Sequence, residues 1–356
     1  MGNKFLKEPT EPVDVSEKTV GELLSAMLKT GFQGRKLAEC VEVWRDMLRE
    51  EKITIMMGLS GAMVPAGMRH VLAYIARNRM IDVLVSTGAN LYHDVHEALG
   101  REHWVGTHVI DDAELFKSRI DRIYDVFADE REFLKTDLFL ENEFFPTFED
   151  RVYSSREVCY LLGKKLREVE KDESVLGAAY EAGVPVFCPA IGDSMIGISA
   201  MFAKLKHKRN FVFDHLQDVE ESGWMTAKSG VTGVIYIGGG VPKNFIQQTA
   251  VFANYMLSRK YLVSDEPVWD GVDQSHKYAI QITTDSPQWG GLSGCTFEEA
   301  KSWGKVSTHA KKAICFSDAT IALPLIVHGL LKDTPKRKFV PRFEFGNQRK
   351  LEYAEF

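Results

Sequence analysis

Val231-Thr232-Gly233-Val234-Ile235-Tyr236-Ile237-Gly238-Gly239-Gly240 is a short apolar run that ends in three glycines. A run of this length, rich in β-branched and aromatic residues, reads as a strand buried on both faces. A helical pattern follows it. Glycines between strand and helix allow a tight turn, and they let a ligand approach the backbone at the amino end of the helix. The spacing is not Gly-x-Gly-x-x-Gly, so a plain turn and a pyrophosphate-binding turn are equal readings of these residues alone.

The same grammar recurs along the chain. Ile53–Gly58 runs into Leu59-Ser60-Gly61-Ala62 and a helix through Ala76. Ile81–Ser86 runs into Thr87-Gly88-Ala89-Asn90 and a helix carrying His93, Asp94 and His96. Val184–Ile191 ends in Gly192-Asp193-Ser194, and Lys312–Ser317 ends at Asp318. The alternation predicts an α/β, Rossmann-like fold with a mostly parallel sheet flanked by helices. Strands are expected near 53–58, 81–86, 184–190, 210–214, 231–237, 278–283 and 312–317, with entry helices over 18–30 and 35–50. Ligands bind such sheets at the carboxyl ends of the strands. Asp193, Asp318, the three glycines and the stretch 285–305 are therefore expected to converge. Residues 1–16 read as a loose arm, 17–335 as one domain and 336–356 as a charged peripheral tail. Residues 115–175 read as charged and helical, and 258–276 as a surface insertion.

The chain has 356 residues, 45% of them hydrophobic and 26% charged, which suits an ordinary globular core. A net charge of −6 and the lack of a basic block argue against nucleic acid as a partner. No apolar run reaches membrane-spanning length. Five scattered cysteines without a C-x-x-C pair suggest neither a zinc site nor a disulfide framework, and they fit a reducing cytoplasm. His93 and His96 share a helix face, but no acid or cysteine set completes a metal site, so none is expected.

Residues 285–305, DSPQWGGLSGCTFEEAKSWGK, carry the chemistry. Thr296 followed by Glu298 and Glu299 marks a helix start, with a hydroxyl cap and acids in the first turn. Trp303-Gly304-Lys305 closes that helix. A Lys beside a large aromatic wall can be desolvated, which favours its neutral, nucleophilic form. A solvated C-cap Lys and a core Trp are the plain alternative.

Ser302-Trp303-Gly304-Lys305, preceded by Glu298-Glu299-Ala300, resembles the catalytic segment of the deoxyhypusine synthase family. Further matches lie in the same order: Thr30-Gly31-Phe32-Gln33, Asp82-Val83-Leu84-Val85, Pro185-Val186-Phe187-Cys188-Pro189-Ala190, Gly238-Gly239-Gly240-Val241 and Asp318-Ala319. The resemblance spans roughly residues 20–330, and such an ordered set is more specific than any single motif. It implies NAD as cofactor and an aminobutyl group passed from spermidine through a Lys imine. It implies Lys305 as the catalytic residue, and Trp303, Glu299, Asp193 and Asn244 at substrate positions. Gly61, Ala62, Met63, Thr87, Gly88, Ala89, Asp193, Gly239, Gly240, Ser293 and Asp318 fall at cofactor positions. Family members are homotetramers with sites between paired subunits, acting on small polyamines.

Several positions depart from the family pattern. Asn244 stands where the protein-modifying members have a His, and Ile198 where they have an acid anchoring the polyamine. Leu292 replaces a second acid, His93 replaces a Glu near the cofactor, and Trp289 replaces an Asp. This pattern looks like the bacterial deoxyhypusine synthase-like group, some of which form homospermidine. The leading reading is an NAD-dependent aminobutyl transferase acting on free amines. A deoxyhypusine synthase that modifies a lysine of the hypusine-containing translation factor is the second, and a non-catalytic NAD-binding protein the third.

Overall fold

The computed structural model describes residues 7–258, 272–331, 334, 336–346 and 348–356. Its centre is a six-stranded sheet: β1 (Ile53–Leu59), β2 (Val83–Ser86), β3 (Val186–Phe187), β4 (Val231–Ile237), β5 (His276–Thr283) and β6 (Val306–Phe316). The spatial order is β6-β5-β4-β1-β2-β3, and every pairing is parallel. All seven residues of β1 are buried, as expected of a strand covered by helices on both faces. The chain builds outward from β1 through β2 to β3, then returns to β4 on the other side of β1. That reversal makes the gap between β1 and β4 the switch point where an open α/β sheet opens a crevice.

Local signals explain the flanking helices. Thr19 and Glu22 form a reciprocal capping box at the start of the helix Val20–Met27. The helix Phe32–Arg49 buries Leu37, Cys40, Val41, Trp44 and Leu48 at helical spacing, and Trp44 Nε1 donates to the Met80 carbonyl at 3.1 Å.

Four expectations need correction. The strand expected at 210–214 is short, Val212–Phe213, and pairs in parallel with Val152–Tyr153 away from the central sheet. β6 begins at Val306, six residues earlier than expected. A bulge explains this: His276 pairs with Val306 but Tyr278 pairs with Lys311, so the first part of the strand breaks the alternating pattern. Within 115–175, Ile120–Ile123 and Val126–Asp129 join His103–Val105 in an antiparallel sheet, turning at Tyr124 with φ 54°. The insertion expected over 258–276 lies, from 259 to 271, outside the described residues.

The fourth correction concerns the tail. Phe339–Glu344 and Lys350–Glu355 form an antiparallel hairpin. Ahead of it, Arg337 is buried: it donates to Asp82 Oδ1 at 2.7 Å, to the Arg79 carbonyl at 3.0 Å and to the Ile53 carbonyl at 3.0 Å. Arg79 donates to the same Asp82 oxygen at 2.9 Å and to the Pro341 carbonyl at 2.7 Å. Asp82 Oδ2 accepts from Ile55 N at 2.8 Å. The segment expected to be peripheral thus anchors a fully buried carboxylate beneath β1 and β2.

Candidate active site

Loops after β1, β2 and β4 meet at the carboxyl ends of their strands. Ser60 N donates to the Ile237 carbonyl at 3.0 Å, and Ser60 Oγ donates to the Gly239 carbonyl. Asn90 uses its whole amide there. Its Oδ1 accepts from Met63 N at 2.9 Å and Val64 N at 3.3 Å, while Nδ2 donates to the Gly61 carbonyl at 2.8 Å and Thr87 Oγ1 at 3.0 Å. One buried side chain thereby holds together two of the loops expected to contact NAD.

Four of the helices that start at this end lack side-chain caps. Phe32–Arg49 follows Gly31, Gly88–Ala98 follows Thr87, Met195–His207 follows Ser194 and Gly240–Leu257 follows Gly239, none with a cap hydrogen bond. Asp111, Asp129, Ser154, Ser174 and Asp214 each cap helices elsewhere with their own side chains. Uncapped N–H groups, with the helix dipole behind them, favour negative charge. Those of Gly88–Ala98 and Gly240–Leu257, which follow β2 and β4, flank the β1–β4 switch point and fit the phosphates of a dinucleotide. Gly238 and Gly240 have φ of 75° and 60°, a backbone that side-chain-bearing residues rarely adopt.

Two residues that the sequence reading missed bind this rim to the stretch 285–305. Lys243 is fully buried and donates to Gln281 Oε1 at 3.0 Å and to the carbonyls of Leu292 at 3.0 Å and Cys295 at 2.6 Å. Gln281 Nε2 donates to the carbonyls of Gly238 at 3.0 Å and Ser293 at 2.8 Å. Burial pushes Lys243 down to about 8, opposed by Cys295 and Glu299 and assisted by the charge of Lys305. The signal was available: Lys243, Ile246, Gln247 and Ala250 form one buried helical stripe, with the Lys and Gln on the face that should be apolar.

Gly239 is required by Ser293. A Cβ on Gly239 would fall inside the van der Waals envelope of the Ser293 main chain. Gly239→Ala is expected to push the 292–294 loop off the crevice and to weaken NAD binding by about tenfold or more, read by fluorescence titration. Unchanged affinity would reduce the three glycines to a turn.

The remaining candidates fall in two places. Thr296 caps the helix Phe297–Ser302, with Oγ1 accepting from Glu299 N at 3.3 Å, and Glu299 itself is exposed. Trp303 is 66% exposed, and the Lys305 ammonium lies 5.3 Å from the centre of its ring. Lys305 immediately precedes β6, the strand at one edge of the sheet. Asp193, exposed, follows β3 at the other edge. At about 4.8 Å per strand, the sheet is roughly 24 Å wide between those edges. Convergence therefore holds for Gly61, Thr87, Gly88, Gly239, Gly240 and Ser293, but Lys305 and Asp193 stand on opposite flanks of one chain. Asp318 lies past β6, where its Oδ1 accepts from Thr320 N at 2.7 Å and closes the next helix. Asn244 is half-buried beside Lys243.

On the Asp193 flank a cavity of about 940 Å³ opens, with Tyr92, His93, Asp121, Asp137, Asp193 and Ile198 among its lining residues. Behind it His93, His96 and His103 pack around the Phe133 ring. Burial pushes His93 and His96 down to about 3, with His103 contributing whenever it is protonated. Both stay neutral in the fold at pH values where an unfolded chain, with histidine near 6.5, would take up protons. Stability linked to them is present above pH 6.5 and is lost as pH falls towards 3. Asp94, pushed up to about 7 by burial, acts in the opposite direction. The stability difference between wild type and His96→Gln is therefore expected to move in favour of the variant as pH drops from 6.5 to 4. The shift should reach up to about 1.4 kcal/mol per pH unit in urea denaturation. A pH-independent difference would contradict the assignment.

The chain matches the profile of the family described as "Deoxyhypusine synthase" over residues 22–330. It is 51% identical over 99% of its length, and 98% of the relative's, to "Probable deoxyhypusine synthase 2" of Methanosarcina mazei. "Probable deoxyhypusine synthase 1" of the same organism is 39% identical over 91% of this chain and 94% of its own. The "Deoxyhypusine synthase-like protein" of Coxiella burnetii is 35% identical over 96% and 95%. The crystal structure of "a putative deoxyhypusine synthase from Entamoeba histolytica" superposes with a TM-score of 0.59 at 17% identity, covering 88% of this chain and 94% of that one, a likeness of fold. No helix among the described residues is long and apolar enough to cross a membrane. With the profile covering most of the chain and close relatives covering nearly all of it, this chain belongs to the deoxyhypusine synthase family, whose members are NAD-dependent aminobutyl transferases.

Proposed function

We propose that this protein transfers the aminobutyl group of spermidine to a small free amine, forming homospermidine when the acceptor is putrescine, in the cytoplasm. The observation that carries the reading is the cavity wall. Ile198 and His93 line it, where the family pattern has carboxylates, while Asp121, Glu130, Asp137 and Asp193 outnumber Arg119 and Arg131 and leave it net negative. A cradle rebuilt in this way suits a different acceptor rather than a different reaction, because Ser302-Trp303-Gly304-Lys305 is intact. The two Methanosarcina mazei relatives support this: the chain is closer to the second of two proteins in one organism, as expected after a division of acceptors.

Bound NAD would take a hydride from the carbon beside the secondary amine of spermidine and return it at the end. Residues 61–63, 87–89, 239–240 and 293 would hold it at the strand ends, with Asp193 and Asp318 reaching towards its two ends from opposite edges of the sheet. Lys305 carries the aminobutyl group as an imine, with Trp303 walling the chain and Glu299 meeting a terminal ammonium. The two flanks of one chain are too far apart to act together. The exposed Trp303 and Lys305 of one copy therefore complete the cavity of a second, in a homotetramer with sites between paired subunits.

Incubation with spermidine, putrescine and NAD, read by product mass, tests the reading. Homospermidine with release of diaminopropane is the expected result, and transfer to no diamine at all would overturn it. The names of the Methanosarcina mazei relatives favour the second reading, deoxyhypusine synthesis. The same assay with the hypusine-type translation factor as acceptor decides between them.

A further inference from the structure

Three side chains behind the cavity form a directed chain of hydrogen bonds. Glu97, on the same helix as His93, is held by Arg69, whose Nε lies 2.7 Å from Oε2. Arg69 is itself fixed by Asp172 and by the Glu173 carbonyl at 2.6 Å. A carboxylate paired in this way accepts hydrogen bonds and does not donate. The 2.7 Å contact from His103 Nδ1 to Glu97 Oε1 therefore places a proton on Nδ1. In neutral His103 the Nε2 is then a lone pair, and it lies 2.9 Å from His93 Nδ1, which becomes the donor. That leaves Nε2 of His93 as a basic lone pair on a ring that lines the cavity. His103 is buried, 5% exposed at its side chain, so water does not compete for this chain.

We propose that His93 is the general base for the amine bound in this cavity, and that the His103–Glu97 pair stores the proton it removes. The substrate class is a protonated aliphatic amine, and the inference rests on the aminobutyl-transfer reading above. A secondary ammonium cannot lose hydride from its neighbouring carbon until its nitrogen lone pair is free. The N–H⁺ proton passes to His93 Nε2, and the proton on His93 Nδ1 passes to His103 Nε2. His93 ends neutral with its tautomer exchanged. His103 ends as an imidazolium against the Glu97 carboxylate, and the amine is uncharged. No charge is left on His93, which agrees with burial holding that ring neutral. Asn244 is not among the residues that line this cavity, and Asp193, which is, is exposed.

The groups facing His93 are identifiable on every packed element. His96 is on its own helix and His103 on the strand His103–Val105. Arg119 immediately precedes Ile120–Ile123 and Asp121 lies within it, while Glu130, Arg131 and Asp137 come from the helix Glu130–Phe139, and Asp193 from the loop before Met195–His207.

Two measurements test the relay. The first is 15N NMR of histidine-labelled free protein, expected to show Nδ1–H tautomers for both His93 and His103. An Nε2–H tautomer on His93 overturns the proposal whatever the kinetics. The second is the single-turnover rise of NADH absorbance with spermidine and no acceptor, followed against pH. His103→Gln is expected to slow it on the order of 100-fold with spermidine affinity retained. The wild-type plateau should become a rate that climbs tenfold per pH unit. Glu97→Gln, which keeps the shape, should act the same way if His103→Gln folds poorly. Wild-type rate and profile in either folded variant overturns the relay. Because this half-reaction needs no acceptor, it reads the relay even if homospermidine is not the product. If spermidine itself is inert, the NMR tautomers still decide.

Discussion

Lys305→Ala is expected to fold, to bind NAD as the wild type does, and to lose aminobutyl transfer by at least about three orders of magnitude. Among the described residues that side chain makes no hydrogen bond or ion pair, and its charge assists the downward push on Lys243. Its ammonium is half-buried against an exposed Trp303 and fills no core volume. Lys305→Arg should be equally inactive, because a guanidinium does not lose its proton in a protein and forms no imine. The structure adds a rival that the experiment must exclude. Lys243 is buried nearby and pushed down to about 8, so a fraction of it is uncharged near neutral pH. Its three protons, however, are all committed to Gln281 and to the Leu292 and Cys295 carbonyls, which marks it as a strut. Borohydride added during turnover should fix the aminobutyl group on the peptide containing Lys305. A label on Lys243, or normal turnover by Lys305→Ala, would remove Lys305 from the mechanism.

Asp82→Ala is expected to cost about 3–5 kcal/mol of stability and to lower the midpoint of thermal unfolding by on the order of 10 °C. Asp82 is fully buried between two buried guanidiniums, those of Arg79 and Arg337. Removing it leaves two cations in the interior without a counter-charge. Arg337→Met should cost less, since Asp82 keeps Arg79 at 2.9 Å and Ile55 N at 2.8 Å. Calorimetry of the two variants checks both magnitude and order. A loss below about 1 kcal/mol for Asp82→Ala would mean that water or a rearrangement neutralises the pair.

The strands of the central sheet were readable because each is a local fact. Burial on both faces forces a near-continuous apolar run, and Ile53–Leu59 and Val231–Ile237 show it without reference to the rest of the chain. What could not be read depends on partners distant in sequence. The hairpin of Phe339–Glu344 and Lys350–Glu355 looks like a charged tail until Arg337 is seen against Asp82. Ile120–Ile123 and Val126–Asp129 are too short, with charges at Asp121, Arg122 and Asp129 inside them, to stand out from helical surroundings. In the candidate site, the glycine turns and the Ser302–Lys305 segment were visible as motifs. The separation of Lys305 from Asp193 was not, because strand order and not chain order sets it. His103 gave no signal at all: its role comes from contact with a helix across a turn.

The buried carboxylate also orders events in time. Asp82 and Arg337 lie 255 residues apart, so on a ribosome β1 and β2 emerge long before the second guanidinium exists. Until residue 337 leaves the exit tunnel, the sheet can close only around a carboxylate with half its final counter-charge. The nascent chain should therefore stay loose at the base of β1 and β2, and pass its last folding barrier after synthesis of the hairpin. Ribosome-stalled chains ending before residue 337 should be more protease-sensitive near Ile53 and Asp82 than chains extending past Glu355, and equal sensitivity would argue that the anchor forms without the hairpin's arrival.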